Sequence, residues 1–225
     1  MTPSRSLRRR PAVVARGTVA HVVGVLVGVA LVVGACSAVA GSPSQAPVQG
    51  GACPTSEPAA LAAGETRTMT ITTDLGTMTV DLVADLSPIA VGNVVALAEC
   101  GYYDGVVFHR AATLQDGTPF VIQGGDPTGT GSGGPGYTIT DEPVTTAYAR
   151  GTVAMARTSQ PNSVGSQFFI VLDDAAADVL ASYNTYQIIG SVSGGMETAD
   201  AIHAAADGEL PSDPVVMTDV SISTP

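Results

Sequence analysis

From Thr68 onward the chain alternates. Thr68-Met69-Thr70-Ile71-Thr72 places an apolar side chain at every second position, Thr77-Met78-Thr79-Val80-Asp81-Leu82 does so again, and Asp74-Leu75-Gly76 lies between them. A period of two is the signature of a strand with one buried face. The two runs and their turn therefore predict a β-hairpin. Ser87-Pro88 then marks a helix start, with Ser as N-cap and Pro at the first helical position, where its missing N–H matters least. Ile89, Asn93, Val94, Leu97 and Ala98 recur at helical spacing, and Gly101 supplies the stop.

The remainder reads as more short strands. Val106–Arg110, Pro119–Gln123, Gly151–Ala156, Gln167–Leu172, Tyr186–Val192 and Pro214–Ile222 are strand candidates. Asp173–Ser182 is a short acidic helix or turn, and Gly195–Ala206 is a helix with Met196, Ala199, Ile202 and His203 at core spacing. Asp126–Tyr137 is a Gly-rich loop without the Lys and Ser/Thr of a phosphate cradle, so it reads as a long turn. Eight short strands and two principal helices predict a mainly β fold. The expected form is a closed eight-stranded antiparallel barrel capped by two helices, because closure leaves no exposed edge.

The chain ahead of the hairpin is of a different kind. Residues 1–17 are Arg-rich, and Thr18–Ala35 is almost purely Val, Ala, Leu and Gly. A basic segment followed by an apolar one is the pattern of a secretory signal. The run ends Val33-Gly34-Ala35-Cys36, which resembles a bacterial lipobox, where the Cys becomes the lipidated first residue. The alternative is an uncleaved membrane helix, since about 20 apolar residues span a bilayer. Both readings put the rest of the chain outside the cytoplasm. Residues 36–66 are rich in Ala, Gly, Pro, Ser and Gln and read as a flexible tether. The expected organisation is thus a signal peptide over 1–35, a lipidated tether over 36–66 and one domain over 67–225.

Three cysteines are present. With Cys36 assigned to lipid, Cys53 and Cys100 remain. They can pair in an oxidising compartment, tying the tether to the first domain helix, and two separate thiols are the alternative. No Cys/His cluster has metal-ligand spacing. The formal net charge is −11, and all nine basic residues are Arg. Five of these precede residue 17, so a chain lacking that segment sets four Arg against 20 acids, a balance of −16. Such a surface repels phosphates and argues against nucleic-acid binding. It also draws attention to Arg110 and Arg157, two of the four that remain.

Three blocks carry chemistry: Val106-Val107-Phe108-His109-Arg110, Phe120-Val121-Ile122-Gln123-Gly124-Gly125-Asp126, and Gly165-Ser166-Gln167-Phe168-Phe169. In this order they resemble the FHR, F-x-x-QGGD and GSQFF motifs of the cyclophilin-type peptidyl-prolyl cis-trans isomerases, over roughly Thr68 to Ile222. The cyclophilin fold is a barrel of the kind the pattern predicts. The resemblance implies that Arg110 is the catalytic donor to the proline nitrogen and that Gln123 binds the substrate and helps hold the Arg. It implies that Phe120 and Phe169 form the proline slot, with Val121 where many members carry Met, and that Gln167 also meets the peptide. Phe168, next to Phe169 on a strand, is expected to face the core. Met155-Ala156-Arg157-Thr158 is similar to the family's M-A-N-A segment, so Ala156 and Arg157 are expected to pair with the extended substrate, Arg157 standing where the family has Asn. Leu180 and Tyr186 fall near positions where many eukaryotic members carry Trp and His. The absence of Trp implies weaker cyclosporin binding. No cofactor or metal is implied, and His109 is expected to be structural because no proton is transferred.

The function so implied is acceleration of rotation about X-Pro bonds, assisting the folding of proline-containing peptides and unfolded secreted proteins. The chain is expected to act as a monomer anchored by lipid to the outer face of the cell membrane. The alternative is a non-catalytic cyclophilin-like module that binds peptides or chaperones without turnover. No G-x-S-x-G elbow, HExxH or dinucleotide fingerprint points elsewhere.

Overall fold

The computed structural model describes residues 51–225. The signal segment 1–35, Cys36 and the first part of the tether lie outside the described residues. The predicted hairpin is present as β1 (Thr66–Thr73) and β2 (Gly76–Val83). Their register pairs Thr73 with Gly76, leaving Asp74-Leu75 as a two-residue loop. Thr73 Oγ1 closes it, accepting from Leu75 N–H at 3.2 Å and donating to the Gly76 carbonyl at 3.0 Å. The alternating Met69, Ile71, Met78, Val80 and Leu82 are fully buried, so the period of two marked the core face.

α1 (Pro88–Glu99) begins where Ser87-Pro88 places it, but Ser87 makes no side-chain cap. The cap comes from Glu142, 53 and 52 residues away in sequence. Its carboxylate accepts from Ile89 N–H at 2.8 Å and Ala90 N–H at 2.9 Å, using the unpaired donors and the positive end of the helix. Almost every side of α1 is buried. Part of its outer cover is the stretch 51–65, whose composition reads as linker. Cys53 is joined to Cys100 by a disulfide with the Cα atoms 5.2 Å apart. Leu61 N–H donates to the Pro88 carbonyl at 3.1 Å, and Leu61 packs on the core. Gly92 makes room for this crossing: a Cβ there would lie 2.4 Å from the Ala59 carbonyl oxygen.

The other elements are β3 (Arg110–Thr113), β4 (Pro119–Gly124), β5 (Thr152–Met155), β6 (Phe168–Val171), α2 (Ala176–Tyr183), β7 (Ile188–Gly194), α3 (Met196–Ala205) and β8 (Asp219–Ser223). One antiparallel sheet runs in the order β3-β4-β6-β5-β7-β2-β1-β8. Two expectations are corrected. The barrel is an open half-barrel rather than a closed one, because the terminal strands β3 and β8 do not pair with each other. Among the described residues there are also three helices, not two, since Asp173–Ser182 yields the eight-residue α2.

The physical reason for the opening lies in Val106–His109, the part of the expected Val106–Arg110 strand that precedes β3. Phe108 and His109 are both buried, but no continuous ladder runs through them. Only Val107 makes bridges there, to Asp126 and to Val216, while Phe108 N–H donates to the Val215 carbonyl at 2.9 Å. The seam is thus spanned by single bridges instead of a ladder. Gly124 admits this close passage, since a Cβ would sit 3.1 Å from the Val107 carbonyl oxygen.

The sheet is covered on both faces around β4, β6 and β5. One buried cluster, with α1 and α3, includes Met69, Ile71, Phe108, Ile122, Phe168 and Ile170. A second, on the opposite face, contains Val121, Ala154, Phe169, Val171, Leu180 and Ile188. Two-sided burial explains why β5 and β6 are buried at every position and why β6 is apolar throughout. Among the described residues no helix is long and apolar enough to cross a membrane, and no cluster of three or more His, Cys, Asp or Glu is arranged to hold a metal.

Candidate active site

The second cluster leads to the site. Strand pairing sets Arg110 opposite Gln123, Gln123 opposite Phe169, Phe169 opposite Ala154, and Ala154 opposite Ile188. Directly opposed residues project from the same face of a sheet. One cross-strand row thus carries a guanidinium, an amide and a phenyl ring side by side over β3, β4 and β6. Two neighbours on β4, Phe120 and Val121, both reach this face. A bulge makes that possible: Ala112 pairs with Val121 and Thr113 with Pro119, so Phe120 is the extra residue and its side chain is re-aimed.

These groups line a pocket of ≈ 330 Å³ with Arg110, Phe120, Val121, Gln123, Ala156, Arg157, Phe169, Leu180 and Tyr186 on its wall. The expected residues are therefore brought together, with one displaced. Gln167 lies in an adjoining groove that shares Gln123, Ala156 and Arg157 with the pocket. Two rim residues escaped the sequence reading, Val179 and Tyr183. Tyr183 is 63% exposed, and its ring meets Tyr186 at 6.3 Å, which in turn meets Phe169 edge-on at 5.4 Å. Helical spacing on α2 from the buried Leu180 was the signal available for Tyr183. Phe168, as expected, faces the core, edge-on to Tyr103 at 5.7 Å.

The polar half of the site is a relay. Arg110 Nη1 donates to Gln123 Oε1 at 3.4 Å, and Gln123 Nε2 donates to Gln167 Oε1 at 2.9 Å. Gln167 Nε2 donates onward to the carbonyls of Gly131 and Gly133, at 3.1 and 2.9 Å. That loop is folded around Asp126, which is fully buried and accepts from the N–H groups of Thr128, Thr130 and Gly133. Burial alone would raise the Asp126 carboxyl. The hydrogen bonds from Gly133 and Thr128 outweigh it and hold the group well below the usual carboxylate range. The Gly-rich loop is thus a polar frame for Gln167 rather than a phosphate cradle.

On the other side of Arg110, Nε donates to Glu209 Oε1 at 2.8 Å. Glu209 carried no sequence signal, being 99 residues away from Arg110. Arg157 is more deeply buried than Arg110 and its guanidinium is paired elsewhere. Its guanidinium pairs with Asp141 at 3.0 Å and donates to the Gln160 carbonyl at 2.8 Å, with only 11% of its side chain exposed. Its carbon stem and backbone, not its charge, are what it offers the pocket. His109 sits beneath the site at 5% exposure, and neither ring nitrogen has a hydrogen-bond partner among the described residues. Burial lowers its pKa from 6.5 although Asp126 pulls the other way. A neutral buried ring fits a structural part.

Residues 68–222 match the family model described as cyclophilin type peptidyl-prolyl cis-trans isomerase/CLD. The chain belongs to the cyclophilin family. It is 48% identical over 107 residues to a putative bifunctional phosphatase/peptidyl-prolyl cis-trans isomerase of Streptococcus pyogenes, covering 46% of this chain and 22% of that protein. It is 38% identical over 145 residues to peptidyl-prolyl cis-trans isomerase CYP18-1 of Arabidopsis thaliana, covering 62% of this chain and 84% of that one. The first relatives are much longer proteins, of which the matched part of the chain spans 22%, 20% and 27%. A crystal structure of a Cryptosporidium parvum cyclophilin-type isomerase superposes with a TM-score of 0.62 at 31% identity, covering 71% of this chain and 99% of that one. A second, determined in the presence of the dipeptide Ala-Pro, gives 0.61 at 32% identity over 70% and 99%.

Proposed function

We propose that this cyclophilin domain is a peptidyl-prolyl cis-trans isomerase acting on X-Pro bonds in extracytoplasmic proteins. The observation that carries the reading is the cross-strand row that sets the Arg110 guanidinium and the Phe169 ring on one face of the sheet, in one pocket with Phe120. The amide rotates against a barrier of about 18–20 kcal/mol because the nitrogen lone pair is delocalised. Rotation localises that pair on nitrogen, so an N–H donor directed at it stabilises the twisted amide more than either planar form. Uncatalysed exchange takes tens of seconds. Reaching milliseconds needs about 5–7 kcal/mol off the barrier.

Arg110 supplies the donor. Its guanidinium presents a rigid, charged fork of N–H groups. Phe120, Val121, Phe169 and Leu180 supply the apolar slot that holds the ring, while Ala156 and Arg157 offer backbone to an extended peptide. The reaction needs no nucleophile and no proton transfer. The Ala-Pro dipeptide used with the Cryptosporidium relative is the minimal substrate of this kind. The full chain should therefore accelerate cis/trans exchange of a short Ala-Pro peptide in an exchange-NMR assay. An exchange rate equal to that of the peptide alone would refute the activity.

The surroundings of the catalytic domain point outward from the cell. A signal-like segment over 1–35, a lipobox-like Val33-Gly34-Ala35-Cys36 and a Cys53–Cys100 disulfide support a lipid-anchored extracytoplasmic protein whose clients are secreted chains. Cys36→Ser should move the protein from the membrane fraction to the soluble one. Retention in the membrane would mean an uncleaved helix instead.

A further inference from the structure

The guanidinium of Arg110 has five N–H groups, and the structure grips it from two sides. Gln123 takes Nη1 at 3.4 Å. Glu209 takes the opposite edge: Nε donates to its Oε1 at 2.8 Å, and Nη2 lies 2.7 Å from the same oxygen. Glu209 belongs to the loop between α3 and β8, and that loop is fastened independently of the carboxylate. Its backbone carbonyl accepts from Ala111 N–H at 2.9 Å, one residue beyond Arg110 on β3. Asp207 closes the loop on itself, accepting from Ser212 N–H at 2.9 Å and from its hydroxyl at 2.5 Å.

We propose that Glu209 is a positioning residue for isomerisation. It holds the Nε edge of Arg110 so that the N–H groups left over at Nη1 and Nη2 face the slot between Phe120 and Phe169. The inference rests on the reading of Arg110 as the donor to the proline nitrogen. An unheld arginine side chain samples several rotamers, and a donor that must meet a transient lone pair loses rate with each misdirected one. The Glu209 side chain is 60% exposed and that of Arg110 33%, so the pair adds little to stability. Removing the carboxylate releases the guanidinium while the loop stays docked. The proline slot itself is untouched, so the effect falls on turnover and not on binding.

Exchange NMR of the full chain with saturating Ala-Pro peptide reads the rate in the bound state, and a shift titration reads affinity. Glu209→Ala should slow bound exchange about tenfold, with affinity changed by no more than about twofold and the thermal midpoint unchanged. Glu209→Gln should recover most of the rate, because its amide oxygen still accepts from Nε. Adding Glu209→Ala to Arg110→Ala should slow exchange no further. Wild-type exchange in Glu209→Ala beside a slow Arg110→Ala overturns the positioning role. Further slowing in the double variant overturns it too, since Glu209 would then act through something other than Arg110. Wild-type exchange in Arg110→Ala overturns instead the reading beneath it, and the two failures are told apart by that single variant.

Discussion

Phe168 and Phe169 are adjacent and identical in type, yet they belong to different parts of the molecule. Strand geometry sends Phe168 to Tyr103 and Phe108 in the core and Phe169 to Tyr186 in the pocket. This separation was legible in the sequence because parity along a strand is all it requires. Glu209 was not legible, because only the docking of a distant loop makes it a neighbour of Arg110. His109 and Asp126 show a third case, residues whose type is clear but whose burial gives them a consequence. The fold holds His109 neutral with a pKa below 6.5 and Asp126 ionised with a pKa below 3.8. Both folded values are depressed, so both contributions are complete above the unfolded pKa and are lost as pH falls through the folded one. For His109 the loss begins below pH 6.5, and for Asp126 below 3.8. Thermal midpoints should therefore fall on acidification from about pH 6.5 downward. His109→Gln should flatten the upper part of that fall, and an unchanged slope in the variant would show that other groups cause it.

Among the elements, β1 and β2 were legible because each buries one face, and β6 because it buries two and is apolar throughout. Val106–His109 misled because it makes only the isolated bridges of Val107 instead of a ladder, although its composition suits a strand. The start of α1 was placed correctly for an incomplete reason. Pro88 fits the first turn, but Ser87 leaves its hydroxyl without a partner and Glu142 caps the helix instead. A cap brought from the far side of the chain leaves no mark in local sequence. Glu142→Ala should destabilise the domain by about 1–2 kcal/mol, whereas Ser87→Ala should cost less. Urea denaturation of the two variants distinguishes them, and a larger loss at Ser87 would return the cap to that residue. Gln187 Nε2 also donates to Glu142 at 3.1 Å, so the Glu142 variant leaves that buried amide nitrogen with only the Thr140 carbonyl, at 3.3 Å.

At the scale of the whole molecule, the sheet topology was legible in kind and not in closure. Pattern reading counts strands, but whether the first and last meet depends on the bridges at Val107, which span the seam without a ladder. The stretch 51–65 is the other surprise. Its Ala, Gly and Pro content reads as linker, yet Leu61, Cys53 and the gap at Gly92 bind it to α1. The Cys53–Cys100 link closes a loop with a separation of 47 residues. In a chain-entropy account such a loop contributes about 4 kcal/mol. Cys53→Ser with Cys100→Ser should lower stability by about 2–4 kcal/mol in denaturant titrations. The site residues lie elsewhere on the sheet, so isomerase activity should persist below the new midpoint. Loss of activity in the still-folded variant would tie the disulfide to the site itself.

Catalysis in this site depends on one side chain, and Arg110→Ala tests that most directly. Exchange NMR on a short Ala-Pro peptide, with circular dichroism to verify that the variant remains folded, gives the comparison. The catalysed exchange rate should fall about 100- to 1000-fold, as it does when a preorganised donor to a transition state is removed, with the peptide still bound. A folded Arg110→Ala variant that exchanges the peptide at the wild-type rate would contradict the account.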